Sequence, residues 1–223
     1  PEVREKMLPF IGENFGNPSS IHWAGRMSRA ALDEGREHVA RLLGAKDREI
    51  VFTGCGSEAD NLAIKGAFWA LKKKGRHIVT TTVEHPAVLE TCRDLEKHGA
   101  EVTYLPVNPD GTITAADIGR ALRDDTVLVT IMFANNETGV LFPIKEIGAL
   151  TRKRGILFHT DAVQAAGKIP LKVDELNVDL LAIAGHKLYA PKGVGALYIR
   201  SGVKLERLVS GGHQEPNRRA GTE

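Results

Sequence analysis

The sequence predicts an α/β fold: a mainly parallel, seven-stranded, doubly wound sheet with helices on both faces. Three observations point there. Short apolar runs of strand length alternate with helical stretches along most of the chain, the pattern of repeated strand–helix units. The first such unit turns through a glycine-rich segment, GCGSEADN. Polar residues able to do chemistry follow strand after strand, where ligands bind in open sheets of this class.

The elements follow in order. Residues 1–24 contain GNPSSIHWAGR, a turn-rich stretch expected on the surface, leading into a helix over about 26–43 with Leu32, Val39, Leu42 and Leu43 on one face. The first strand is EIVFT, 49–53, and an apolar helix follows over about 58–73. Further strands are expected at 77–82, 101–105, 127–132 and 157–160, with helices near 86–97, 115–122 and 144–154. Two last apolar segments, 180–184 and 195–199, are joined by a stretch punctuated with Gly and Pro. The segment GGHQEPNRRAGT departs from the alternation and reads as a functional loop or a domain exit.

Composition bounds the function. With 223 residues, 42% hydrophobic and 26% charged, the chain can bury one substantial core, so one domain is the default. A net charge of +2 with both signs interspersed gives no broad basic face, which argues against nucleic acid and acidic membrane surfaces. Cys55 and Cys92 are far apart without CxxC spacing, which argues against a disulfide framework or a zinc site and fits a reducing, cytoplasmic compartment. No apolar run approaches the ~20 residues of a membrane helix. The chain opens at Pro1 without a leader pattern and reads as part of a longer protein.

The candidate site is assembled from the strand ends. Strand, glycine turn and helix is a phosphate-binding layout: Gly54 and Gly56 let the backbone approach, the Gly56 and Ser57 amides lie at the positive helix end, and Ser57 adds a hydroxyl. The bland alternative is a serine N-cap. His85 follows the second strand, Asn135 and Asn136 the fourth, Asp161 and Gln164 the fifth, and His186 and Lys187 the sixth. Each also has a structural reading: His85 and Asp161 as helix caps, Asn136 as a turn residue before Gly139. A lysine at the mouth of so apolar a segment is expected to be poorly solvated as an ammonium, which favours a free amine able to attack a carbonyl.

Together these residues suit pyridoxal 5'-phosphate. That cofactor needs a Schiff-base lysine, an anion to keep its ring nitrogen protonated, and a phosphate cradle. Lys187 supplies the amine and Asp161 the anion. Gln164 and Asn136 could donate to the ring's phenolate oxygen, His85 could lie against the ring and move protons, and His186 could reach the phosphate.

The segments GNPSSIHWAGR, EIVFTGCGSEADNLAIKG, VEHPAVLETC, ANNETGV, HTDAVQAAGKIP, AGHKLYAPKGVGALY and RRAGTE, in that order over nearly the whole chain, resemble the cysteine desulfurases of the NifS/IscS type, in the class V aminotransferase group of fold-type I pyridoxal-phosphate enzymes. The resemblance implies that residues 1–223 are the cofactor-binding large domain, with the family's N-terminal segment and C-terminal small domain absent from the chain. It implies removal of sulfur from L-cysteine to give L-alanine, the sulfur passing as a persulfide to an acceptor protein for iron-sulfur clusters or thiolated cofactors. By motif, Lys187 and His85 are catalytic, Gly56, Ser57, Asn136, Asp161, Gln164 and His186 bind the cofactor, and Thr222 reaches the cofactor phosphate of the other subunit in a homodimer. No metal is implied.

Departures from the family pattern are Ala184 in place of a phosphate-binding serine and Ser57 in place of a frequent threonine. The family's persulfide cysteine and its substrate-carboxylate arginine both lie downstream of Glu223, so the isolated segment is expected to turn over little. Cys55 and Cys92 are expected to be structural. Selenocysteine lyase, a cysteine C–S lyase or a class V aminotransferase would use most of the same residues. A dinucleotide-binding domain is suggested by Gly54–Ala59 as GxGxxA, but that reading lacks its acid about 20 residues on and gives Lys187 and Asp161 no role. A non-catalytic scaffold that keeps the fold is the third reading.

Overall fold

The computed structural model describes all 223 residues. Helix α1 (Glu2–Gly12) and helix α2 (Trp23–Leu43) precede strand β1 (Ile50–Thr53), and α3 (Gly56–Leu71), β2 (His77–Thr81), α4 (Pro86–Glu96) and β3 (Glu101–Leu105) follow. Then come α5 (Ala115–Ala121), β4 (Thr126–Thr130), α6 (Ile144–Arg154), β5 (Leu157–Asp161), the single turn α7 (Val173–Leu176), β6 (Leu180–Ala184) and β7 (Gly195–Ile199). All seven strands form one sheet in the order β1-β7-β6-β5-β4-β2-β3. Every neighbouring pair from β6 to β3 is parallel, and β7 is antiparallel to both β6 and β1. Only β7 therefore runs the other way, and the other six strands end on one rim.

Side-chain alternation divides the core between the two faces of the sheet. Ala196 and Tyr198 of β7 and Leu181 and Ile183 of β6 pack with α2, α5 and α6, whereas Leu197, Ile199, Leu180 and Ala182 pack with α3 and α4. The expected doubly wound architecture is observed. Between β2 and β4 the strand order reverses, which opens a crevice at the carboxyl rim.

Local chemistry sets the helix ends. Gly44 and Gly155 stop α2 and α6 in the left-handed conformation, at φ 65 and 62, which a residue without Cβ adopts freely. Thr114 and Asp117 close a capping box on α5. Two starts differ from expectation: α2 begins at Trp23, three residues early, because His22 Nδ1 accepts the Gly25 amide at 3.3 Å, and α3 begins at Gly56, capped by Cys55. Neither residue is a usual cap.

Two expectations are corrected. Helix α1 lies in the stretch read as turn-rich surface; Val3, Met7, Phe10 and Ile11 recur at helical spacing, but the helix buries no residue and contains Pro9. Leu42 is exposed on α2, and Ala40 beside Leu43 takes the buried position. The segment after Gly211, expected as a functional loop or a domain exit, is anchored to the sheet. The Glu215 carboxylate, 2% exposed, accepts from Arg36 Nη1 and Nη2 at 2.7 and 2.8 Å and from the Phe52 amide at 2.8 Å. Sequence distance hid that contact: Arg36 and Glu215 are 179 residues apart.

Phe158, at the centre of the sheet on β5, is 0% exposed. Phe158→Ala is expected to cost about 3–5 kcal/mol, the range for emptying a buried aromatic position. It should read as a lower urea midpoint with an unchanged slope in equilibrium unfolding.

Candidate active site

The carboxyl rim carries a cavity of about 220 Å³ lined by the ends of five strands. That is below the ~300–1,000 Å³ usual for drug-sized ligands, so the space suits one small ring-bearing molecule. Gly56, Ser57, His85, Asn136, Asp161, Gln164, His186 and Lys187 all open onto it. Thr222 does not; it is exposed in an adjoining cleft with Thr53, Gly54 and Arg219.

The first wall is the turn from β1 into α3. Cys55 Sγ accepts the Glu58 amide at 3.4 Å and the Cys55 carbonyl accepts the Ala59 amide at 3.1 Å, which leaves the Gly56 and Ser57 amides for a ligand. Ser57 is thus not the cap, and its hydroxyl is exposed. Space explains the glycine at 56: a Cβ there would come within 3.0 Å of Val163 and 3.1 Å of Ala184. At Gly195 a Cβ would come within 2.6 Å of the Cys55 backbone, so β7 passes directly beneath the turn. Glu58 holds the turn from outside, accepting from the Gly54 amide and from Arg219 Nε, each at 2.8 Å.

His85 does cap α4: its Nδ1 accepts the Ala87 amide at 3.1 Å, which leaves a ring proton on Nε2. The two asparagines divide their work. Asn135 Oδ1 accepts the Glu137 and Thr138 amides and its Nδ2 donates to the Val83 carbonyl, so Asn135 shapes the turn and Asn136 is left to the cavity. Gln164 Oε1 accepts from Lys168 Nζ at 3.3 Å, which leaves its amide nitrogen as a donor.

Lys187 and His186 lie in a short 3-10 turn, Gly185–Lys187, directly after β6. Both side chains are exposed. The expectation of a poorly solvated amine is therefore corrected: Ala184 is buried at the strand end, but the chain turns outward after it and carries Lys187 into the open mouth.

Asp161 ends β5, where its register partner is Ala182. It is 6% exposed, accepts the Val163 amide at 2.9 Å, and has no basic side chain paired with it. Burial raises its pKa above the ordinary carboxylate range, against the Val163 hydrogen bond and the nearby His85. A buried acid of this kind lacks a cation, and a protonated ring nitrogen is a cation of the right size. With an amine, an amide cradle and amide and imidazole donors on the same cavity, the donor set fits pyridoxal phosphate.

Sequence reasoning did not single out Asp60, Met132 and Val163 as lining residues, nor Glu84 behind them. Asp60 was findable, because it stands four residues after Gly56 and so on the same helix face. Glu84 was not: nothing in VEHPAV signals that it is 4% exposed, with its oxygens taken up by the Met132 amide at 2.9 and 3.0 Å and by Thr81 Oγ1 at 2.8 Å. Cys92 is buried and its thiol is pushed up to about 12 by that burial, as expected of a structural cysteine. Cys55 is structural as a cap, yet exposed.

Burial pushes Glu84 from 4.5 up to about 8. Its contribution to stability is therefore fully present below pH 4.5 and is lost as pH rises through about 8. Glu84→Gln should flatten this part of the profile, read as a thermal midpoint of the cofactor-free protein that falls less over that window than in the wild type.

A family model described as Aminotransferase class-V matches residues 1–220. The cysteine desulfurase IscS of Dictyoglomus turgidum is 57% identical over 222 residues, covering 100% of this chain and 56% of that protein. Its counterpart from Clostridium botulinum is 54% identical over 223 residues with the same coverage. Among solved structures, SspA in complex with cysteine matches with a TM-score of 0.97 at 42% identity, over 100% of this chain and 65% of that one. A NifS-like protein matches with a TM-score of 0.96 at 40% identity, over 100% and 61%. The chain thus spans little more than half the length of the curated relatives it matches. With that match along its length, and with the sheet and rim described above, the chain belongs to the class-V aminotransferase family.

Proposed function

We propose that this chain is the cofactor-binding part of a pyridoxal-phosphate-dependent cysteine desulfurase, which converts L-cysteine to L-alanine and passes the sulfur on as a persulfide. The observation that carries this reading is the opening of Lys187 and Asp161 onto one cavity of about 220 Å³. Relatives named as cysteine desulfurases at 54–57% identity support the substrate. So does the structural neighbour described in complex with cysteine.

When bound, the cofactor supplies an electron sink that acidifies the substrate's Cα–H bond. The chain's own residues hold and orient it. Lys187 holds the cofactor's aldehyde carbon and is the nearby amine for moving a proton at the substrate's Cα. Asp161 keeps the ring nitrogen protonated by charge pairing, and the cation in turn relieves its desolvation. Gly56, Ser57 and His186 hold the phosphate; Asn136 and Gln164 donate to the ring's oxygen; His85 covers the ring with Nε2–H available as a proton donor. Cys92 is not the sulfur acceptor, since its thiol is buried and pushed up to about 12. The accepting thiol belongs to the part of the whole protein that the family resemblance places beyond residue 223.

We further infer a homodimer, in which Thr222, exposed outside its own cavity, reaches the partner's cofactor phosphate. A sulfur-acceptor protein and a place in iron-sulfur or thio-cofactor synthesis follow from the persulfide product. Two unpaired cysteines fit a cytoplasmic setting, and no helix is long and apolar enough to cross a membrane.

In the full-length protein, Lys187→Ala should abolish the visible chromophore that borohydride fixes covalently to the wild type. Asp161→Asn should lower turnover about 10²- to 10³-fold, the loss expected when one partner of a buried ion pair is removed. Alanine and persulfide formed together from cysteine distinguish this activity from an aminotransferase or a C–S lyase. A Lys187→Ala protein that still gives the fixed chromophore would refute the assignment.

A further inference from the structure

The cavity holds a second carboxyl that the proposed function leaves unused. Asp60, on the second turn of α3, opens onto the same space as Asp161. It is 1% exposed, and its Oδ1 has no hydrogen-bonding partner. Across from that oxygen, 3.5 Å away, lies Nε2 of His159, also without a partner. His159 is 0% exposed, and its Nδ1 is held by Thr130 Oγ1 at 2.9 Å. Thr130, His159 and Asp60 thus form a buried brace running from β4 through β5 to α3.

Two carboxyl groups in one poorly hydrated cavity do not both ionise readily. Their surroundings decide which one keeps its proton. Asp161 accepts a backbone amide at 2.9 Å and has His85 nearby. Asp60 has neither, and is the more deeply buried. The titratable groups facing Asp60 are Asp161, Glu84, Cys55 and His159. The first three add only negative charge when ionised, and burial keeps His159 neutral by pushing it down to about 3.

We propose that Asp60 is a positioning residue for the ring-nitrogen site: it is the protonated member of a carboxyl pair with Asp161, turned toward His159 Nε2, so that the pair carries one negative charge and Asp161 carries it. The direction of titration agrees, since burial and then the Asp161 and Glu84 charges hold Asp60 well above the ordinary carboxylate range. This role rests on the proposed cofactor reading, whereas the protonation state of Asp60 does not. The effect is to present a ring nitrogen with a single, fixed anion. A doubly ionised pair would repel itself and shift both side chains.

The test uses the full-length protein with and without pyridoxal phosphate, and two readouts besides activity: the infrared carbonyl stretch of protonated carboxyls, and the visible absorption and affinity of the bound cofactor. Asp60→Asn, a neutral isostere, should remove one protonated-carboxyl signal in both forms and keep most of the cofactor affinity. Asp60→Leu should weaken cofactor binding about tenfold, the scale of leaving a buried polar partner unmatched. Thr130→Val removes the far end of the brace without emptying volume and should weaken binding in the same direction, which covers the case that Asp60→Leu does not fold. An infrared spectrum from which Asp60→Asn removes no protonated-carboxyl signal overturns the proposal, as does an Asp60→Asn protein that loses as much affinity as Asp60→Leu. A wild type without visible cofactor absorption would refute the proposed function instead, and the infrared signal would still decide the state of Asp60.

Discussion

A carboxyl at the end of a buried strand, with no salt-bridge partner in its own chain, is the constraint that organises this molecule. Asp161 sits 6% exposed beside Ala182 on the neighbouring strand and relies on one backbone amide. Burying an ion without a partner costs several kcal/mol, so the site is incomplete as a piece of protein. A cation entering the cavity would remove that cost. The same desolvation that raises the acid would make it a strong partner for a protonated heterocycle.

The sheet gives that anion its neighbours. Because six of seven strands end on one rim, residues distant in sequence reach one cavity without a long loop. The single reversed strand, β7, serves the same end: Gly195 lets it pass under the turn from β1 into α3, close enough that a methyl group would collide with the Cys55 backbone. From outside, Arg219 holds Glu58, which holds the Gly54 amide. The C-terminal segment is thereby coupled to the cradle through two charge-assisted contacts, with Arg36 and Glu215 anchoring it to the α2 face.

Most of this architecture was legible because it rests on local signals. Strands 101–105, 180–184 and 195–199 and the helix 144–154 fall where their apolar runs and bounding glycines put them. The ends of the strands expected at 77–82, 157–160 and 180–184 led directly to His85, Asp161 and Lys187. What escaped depended on partners remote in sequence or on unusual chemistry. Helix α1 carries Val3, Met7, Phe10 and Ile11 at helical spacing, but Pro9 within it and the turn residues after it masked the pattern; Cys55 and His22 cap helices that a serine or aspartate would have announced. The solvation of Lys187 was misjudged because apolar neighbours in sequence are not neighbours in space once a turn intervenes. The burial of Asp60 was hidden for the opposite reason, since the groups that enclose it come from β4 and β5.

The structural and functional readings of these polar residues prove to be compatible, and the reason is geometric. His85 accepts an amide at Nδ1, which fixes both the direction of its ring and the nitrogen that bears the proton. Asp161 spends one oxygen on the Val163 amide and so keeps a defined rotamer, while Asn135 takes over the turn and frees Asn136 for the cavity. A cap or turn contact of about 1 kcal/mol is small beside the energies of catalysis. It nevertheless removes the side-chain freedom that a ligand would otherwise have to freeze out on binding. A rim built from capping residues is therefore already ordered before anything binds, and this order would let so small a cavity hold a ring between an anion and an amine.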